Sequence, residues 1–177
     1  MTFRNILRDA TAEQHRRLDE VAAHMALDTP RGYGAFLVAQ AEALLPVERA
    51  LEDGGIARHL PDWPARRRAP ALLADLDELR LAVAPIRAPA LGCGAALMGA
   101  AYVLEGSRLG ARFLRPRVSG PARFLDHGAG LALWQSFLAA LEASPAVQST
   151  PDRAAAASRS VFRLFEQSFA RQMAGAA

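Results

Sequence analysis

The stretch LGCGAALMGAAYVLEGSRLGARFL, residues 91–114, decides the fold of this chain. It is rich in alanine and leucine and shows no alternation of period two, so it predicts one long helix. Small residues and one tyrosine recur at spacings of three and four and share one face: Gly92, Ala95, Gly99, Tyr102, Gly106 and Gly110. Each glycine inside a helix costs about 1 kcal/mol relative to alanine. The stripe therefore indicates a close approach to the backbone, either by another helix or by a planar ligand.

The rest of the chain has the same helical character. Alanine, leucine and arginine dominate, and β-branched residues are scarce. Helix-capping residues, prolines and glycines predict five further helices: from a Thr2 cap to about Met25, from Thr29-Pro30 to Gly54-Gly55, from about Pro70 to Val83, within Leu131 to Ala143, and from Thr150-Pro151-Asp152 to about Met173. No internal repeat or low-complexity linker divides the chain. We therefore expect an all-α, single-domain multi-helix bundle over residues 1–177.

The charge of the chain argues against nucleic acid as a partner. All 21 residues in the Lys+Arg total are arginine, and 18 acidic residues leave a net charge of only +3. The run Arg66–Arg68 has no accompanying aromatic platform or recognition-helix pattern, so we interpret it as a solvated loop. An arginine-rich adaptor or nucleic-acid binder is the alternative, and salt-dependent binding to DNA would reveal it.

Cysteine usage and hydropathy predict a cytoplasmic protein. The single cysteine, Cys93, cannot form an internal disulfide. The N-terminal segment MTFRNILRDATAEQHRR is charged every few residues and lacks the apolar core of a signal peptide. The longest uncharged stretch, from Ala88 to Leu104, is shorter than the roughly 20 strongly apolar residues that cross a bilayer. We interpret it as a buried helix and expect no membrane partner.

The four histidines are the first candidates for a metal site. A di-iron carboxylate site needs Glu-x-x-His pairs, and none is present. His15 lies in the predicted apolar stripe of the first helix, where an imidazole needs either a hydrogen-bond partner or a metal. Arg8 lies two turns earlier, at nearly the same angle and about 10 Å along the axis. A histidine and a cation so arranged suit a flat ligand with a central metal and carboxylates at its edge, such as haem.

The last predicted helix carries an aromatic stripe. Its apolar residues recur at helical spacing: Phe162, Phe165, Phe169 and Met173. Such a stripe belongs either to the plain core or to the edge of a ligand site, and both interpretations stay open.

These segments resemble the biliverdin-producing haem oxygenases of bacteria, particularly those encoded beside bacteriophytochromes. LRDATAEQHRRLD, residues 7–19, is similar to the proximal helix of that family, whose histidine ligates the haem iron and would here be His15. AAYVLEGSRLGARFL, residues 100–114, resembles the distal helix, in which a G-x-x-x-G kink lets the backbone lie across haem. Gly106 and Gly110 occupy those positions. The segments ARRRAPALLADL, FLDHGAGLALWQSFLAAL and VFRLFEQSF are similar at lower specificity.

The resemblance also implies roles for further residues. Arg8 and Tyr102 match residues that pair with the haem propionates. Ser107 stands where animal members have an aspartate that orders distal water, and similar bacterial members have serine there. Two positions depart from the family pattern, because Arg108 replaces a small polar residue and Ala111 replaces the second glycine of the common LGG.

The activity that the resemblance implies is the oxidative cleavage of haem to biliverdin, CO and ferrous iron. Haem would be both substrate and cofactor, O2 the oxidant, and a ferredoxin or a reductase the electron donor. A bacteriophytochrome would accept the biliverdin. Arginines at 66–68, or Arg115 and Arg117, would offer a surface to an acidic donor. The alternative function is a helical protein that stores, carries or senses haem through the same His15 without degrading it.

Overall fold

The computed structural model describes residues 2–176, and within that range the regular structure is entirely helical. Its nine α-helices are α1 (Phe3–Ala23), α2 (Pro30–Asp53), α3 (Trp63–Arg66), α4 (Ala69–Glu78), α5 (Gly94–Leu114), α6 (Arg123–Asp126), α7 (Leu133–Ala143), α8 (Pro145–Ser149) and α9 (Pro151–Ala176). Two 3-10 turns, Ile56–Arg58 and Arg115–Arg117, follow α2 and α5. The predicted all-α class is confirmed, while residues 1 and 177 of the expected domain lie outside the described range.

Helix caps explain why the first two long helices begin where the sequence predicts. The Thr2 hydroxyl accepts a hydrogen bond from the backbone N–H of Asn5 at 3.2 Å. The Thr29 hydroxyl accepts one from the N–H of Gly32 at 3.1 Å, and Pro30 occupies the first turn. Each cap satisfies an N–H that the helix itself leaves without a partner.

Other helix bounds differ from the prediction. Helix α5 begins at Gly94 rather than Leu91, and α4 ends at Glu78 rather than Val83. Just after α4, Arg80 has a left-handed backbone with φ of 54°, which ends the helical path. The short helices α3, α6 and α8 were not predicted, because four or five residues are too few to show a helical period.

Helix α9 lies at the centre of the bundle and packs against α1, α2 and α5. Its closest approach to α5 is at Gly99, where an added Cβ would lie 2.1 Å from the backbone oxygen of Ala154. The Ser158 hydroxyl seals this contact by donating to the Gly99 carbonyl at 2.7 Å. At this position, therefore, the glycine stripe serves close helix packing.

Helices α1 and α5 both pack on α9 but barely touch each other within the described part of the chain. Helix α7 contacts both of them, so α1 and α5 are connected through α7 and α9. None of the described helices is both long enough and apolar enough to cross a membrane.

Candidate functional site

His15 lies at the edge of α1, not in the core. Its side chain is 62% exposed, and its ring meets Phe162 of α9 edge-on with centroids 5.7 Å apart. Nδ1 lies 2.8 Å from a carboxylate oxygen of Asp19, one turn later. A carboxylate that accepts from Nδ1–H leaves the lone pair on Nε2. The prediction that His15 lies in a buried apolar stripe is therefore wrong. Its Nε2 has no hydrogen-bond partner among the described residues.

Two further candidate residues are Arg8 on α1 and Tyr102 on α5. Arg8 of α1 is 60% exposed and forms a 3.0 Å ion pair with its neighbour Asp9. An exposed pair of this kind contributes little to stability, so the guanidinium can exchange Asp9 for another anion. On α5, burial raises the pKa of the Tyr102 phenol, and the positive charges of Arg4 and Arg8 oppose that rise.

The C-terminal half of α5 presents an uncovered face. A Cβ added at Gly110 would meet no atom within 4 Å, and one at Gly106 would only touch the Trp134 ring at 3.8 Å. Leu109 and Phe113 lie on the same face and are 37% and 80% exposed. Packing within the protein, which requires a glycine at position 99, therefore does not require one at 106 or 110. A flat apolar ligand on this face would use the missing side chains and cover the exposed ones.

Trp134 of α7 extends this face into an aromatic wall. Its ring lies 5.7 Å from that of Tyr102 and 5.9 Å from that of Phe137, centroid to centroid. The sequence offered only a weak signal for it, since Trp134 falls in a segment of low-specificity resemblance. Asp19 was also missed, although its position four residues after His15 was a usable signal.

Ser107 is held by the protein on the side of α5 that faces Arg68. The Ser107 hydroxyl accepts a 2.6 Å hydrogen bond from Arg68 Nη2 and donates to the Leu104 carbonyl at 2.8 Å. The Arg68 guanidinium also lies over the ring of Phe124, 4.9 Å from its centroid. Burial, with the nearby charge of Arg108, lowers the pKa of Arg68 to about 10. At neutral pH Arg68 is still a cation, and its hydrogen bond holds the Ser107 hydroxyl in place.

The arginine run at 66–68 is not the solvated surface that we expected. Arg66 is buried, with hydrogen bonds of 2.7 Å to both Asp62 and Glu105, and Arg68 is buried as well. Only Arg67 stays partly exposed. The physical reason is Glu105, a carboxylate in the middle of a packed helix that needs a cation beside it. A docking surface for an acidic partner at 66–68 is therefore wrong.

The three phenylalanines of the α9 stripe are all buried in the core, and one of them also contacts the candidate site. Phe162 touches the His15 ring, so it belongs to the candidate site. Phe165 is buried in the core, and Phe169 packs edge-on against Phe36 of α2 with centroids 5.9 Å apart. The structure thus brings Phe162 to His15 and places Phe169 on the α2 side of α9.

Comparison with known proteins identifies a relative and a structure of the same fold. A haem oxygenase of Xanthomonas campestris pv. campestris (strain 8004) is 35% identical over 127 residues, which cover 67% of this chain and 75% of the relative. The fold matches that of NO- and CO-bound haem oxygenase from Neisseria meningitidis with a TM-score of 0.82, at 21% identity. That match covers 98% of this chain and 93% of the other. No protein-family model matches the chain.

Proposed function

The chain belongs to the haem oxygenase family and is an enzyme that acts on haem, and from this premise we propose that His15 is the protein ligand of the haem iron. The observation that carries the proposal is the contact between His15 Nδ1 and Asp19 at 2.8 Å. It holds the ring in the tautomer whose Nε2 can bind a metal. The ring is also exposed enough for a ligand to reach it.

In this proposal haem lies between α1 and α5, which both pack on α9 and barely touch each other. One face of the macrocycle would lie toward His15 and Phe162, and the other along Gly106 and Gly110. Support comes from the open space at Gly110 and from the uncovered side chain of Phe113. Burial of these apolar groups against a flat ring is favourable at roughly 25 cal/mol per Å².

The carboxylates of haem need cationic or hydrogen-bonding partners. We propose that Arg8 on α1 and the Tyr102 hydroxyl on α5 bind the propionates. Arg8 has only an exposed neighbour, Asp9, as its present anion, and its charge acts on the Tyr102 phenol. A charged hydrogen bond from a guanidinium to a carboxylate is directional, so it would fix the rotation of haem in its plane. That rotation decides which meso edge faces the Gly106 to Gly110 segment.

Bound haem supplies the iron at which O2 reacts, and the residues of the chain hold haem in position. The proposed products are biliverdin, CO and ferrous iron, with electrons from a ferredoxin or a reductase. In this proposal Gly106 and Gly110 admit the backbone close to the ring, and Ser107 with Arg68 holds that backbone in place. A bacteriophytochrome as acceptor of biliverdin, and a cytoplasmic location, complete the proposal. No observation favours the non-catalytic haem carrier.

The test is an anaerobic titration of the protein with haem, followed by addition of O2 and a chemical reductant. Absorbance spectra are expected to show stoichiometric binding through a histidine, then loss of the Soret band and appearance of biliverdin. The matched variants are His15→Ala and His24→Ala, which change a histidine on the same helix. A Soret band that persists in the wild-type protein would overturn the proposed reaction. Equal binding and turnover in the two variants would overturn the assignment of His15.

A further inference from the structure

We propose that Arg108 is a positioning residue that ties the glycine-bearing segment of α5, residues 106–110, to the turn at 127–131. The tie would set how closely this segment lies to bound haem. The effect on haem rests on the proposed function, whereas the tie itself does not.

The Arg108 guanidinium joins three separate parts of the fold. Within α5, its Nε and Nη2 donate to the Glu105 carboxylate at 3.1 and 2.9 Å. Its Nη2 also donates to the carbonyl of Arg66, the last residue of α3. Its Nη1 donates to the His127 carbonyl at 3.3 Å. The Arg108 side chain is only 10% exposed, so bulk water competes little for this fork of hydrogen bonds.

The His127 ring completes the contact with the turn. Its Nδ1 lies 3.2 Å from Arg108 Nη1. Burial lowers the pKa of His127, and the charges of Arg108 and Arg68 lower it further, while Glu105 acts the other way. The ring is therefore neutral at pH 7, and Nδ1 can accept a hydrogen bond from the guanidinium.

The turn is shaped around the Arg108 side chain. Gly128 has a left-handed backbone with φ of +75°, which a residue with a side chain rarely adopts. A Cβ added there would lie 3.3 Å from Arg108 Nη1 and 2.7 Å from Leu133 Cδ1. Because position 128 is a glycine, the turn leaves room for the Arg108 guanidinium. A side chain at 128 would crowd both that guanidinium and Leu133.

The segment that carries Arg108 has few other attachments. Among residues 106–114 only Ala111 is buried. Gly106 and Gly110 lower the intrinsic helical stability by about 1 kcal/mol each, and Gly110 touches no side chain of the protein. Ser107 and Arg108 are therefore the main side-chain ties. A helix segment with two glycines and few contacts opens readily unless such ties hold it.

Arg108 is also a departure from the family pattern, since the resemblance places a small polar residue here. Such a residue is too short to bridge α3 and the turn at once. The Arg108 fork thus limits the opening of the α5 face toward haem.

The test begins with the protein without haem, by amide hydrogen exchange of Arg108→Met, Arg108→Lys and the control Arg112→Met. Arg112 is an exposed arginine one turn later on the same helix. Arg108→Met leaves Glu105 in its 2.7 Å ion pair with Arg66, so no carboxylate is stranded. We expect exchange at residues 107–113 to rise about tenfold in Arg108→Met and less in Arg108→Lys, with α1 and α9 unchanged. Arg112→Met should match the wild type.

Exchange within about twofold of the control, or a rise shared equally by all helices, would overturn the tie. If Arg108→Met fails to fold, the comparison of Arg108→Lys with Arg112→Met decides by the same criterion. The second measurement is the rate of haem transfer to an excess of apomyoglobin, which should be several-fold faster in Arg108→Met. Unchanged haem release beside faster local exchange would overturn the link to haem. A wild-type protein that binds no haem would instead overturn the proposed function and leave the exchange result standing.

Discussion

The carboxylate of Asp19 lies 2.8 Å from Nδ1 of His15, and the side chains of both are more than half exposed. An exposed pair at i and i+4 contributes little to the stability of a helix. A carboxylate beside Nδ1 favours the tautomer whose lone pair is on Nε2. In the proposed function the pair therefore serves ligand binding more than folding.

His15→Ala is expected to abolish normal haem turnover while the bundle stays folded. The side chain is 62% exposed, so its loss should change the free energy of unfolding by less than about 0.5 kcal/mol. Turnover is followed by absorbance and stability by urea denaturation, with His24→Ala as the control. Full activity in His15→Ala would mean that another group binds the iron.

Asp19→Asn should weaken haem binding about tenfold, because residues that orient a metal-bound histidine typically have effects of 10 to 100-fold. The amide keeps the size of the side chain and an acceptor oxygen but removes the negative charge beside Nδ1. Haem affinity is measured by Soret titration. Glu20→Gln, an exposed carboxylate one residue later, is the control and should bind like the wild type. Equal affinities in the two variants would contradict a role for Asp19.

Gly110→Leu and Gly99→Ala are expected to separate ligand binding from folding. A side chain at 110 enters open space, so Gly110→Leu should keep or raise the melting temperature and still block haem. A methyl group at 99 would lie 2.1 Å from the Ala154 oxygen, so Gly99→Ala should lose about 1–3 kcal/mol of stability. Calorimetry and haem titration of both variants check this pair. Unchanged haem affinity and turnover in Gly110→Leu would move the site away from this face.

The two glycines also show what the sequence could and could not reveal. Spacing alone placed Gly99 and Gly110 on one stripe and allowed two causes for it. In the structure Gly99 is needed for close packing against α9, whereas no neighbouring side chain or backbone requires a glycine at 110. The sequence could not show this difference, because α9 begins more than 40 residues after Gly110. Local signals, such as the Thr2 and Thr29 caps, were predictable because both partners lie within one turn.

Arg66 shows the opposite case. Its run of three arginines is typical of a solvated loop, and the interpretation failed because Glu105, 39 residues later, accepts its hydrogen bond inside the core. No local pattern indicates such a distant pairing. The place of His15 on α1 could be predicted, but its exposure and its contact with Phe162 depend on how α1 and α9 pack.

Protonation of His127 is expected to destabilise the protein as the pH falls. Burial, together with Arg108 and Arg68, lowers the pKa of His127, so the unfolded chain takes up this proton at a higher pH than the folded one. The stabilising contribution is therefore complete above the unfolded pKa of about 6.5 and is lost as the pH falls toward the folded pKa. Denaturant unfolding between about pH 7.5 and about pH 5.5 should show a shallower decline in His127→Gln than in the wild type.

The exposed His24→Gln is the control for that pH series, and its curve should run parallel to that of the wild type. Glu48 has the opposite linkage, because burial raises its carboxyl pKa and its protonation favours the folded state. Its contribution is common to all three proteins, so it cancels when each variant is compared with the wild type. A His127→Gln curve that also runs parallel to the wild type would show that the ring titrates equally in the folded and unfolded chains. That outcome would contradict the lowered pKa of His127.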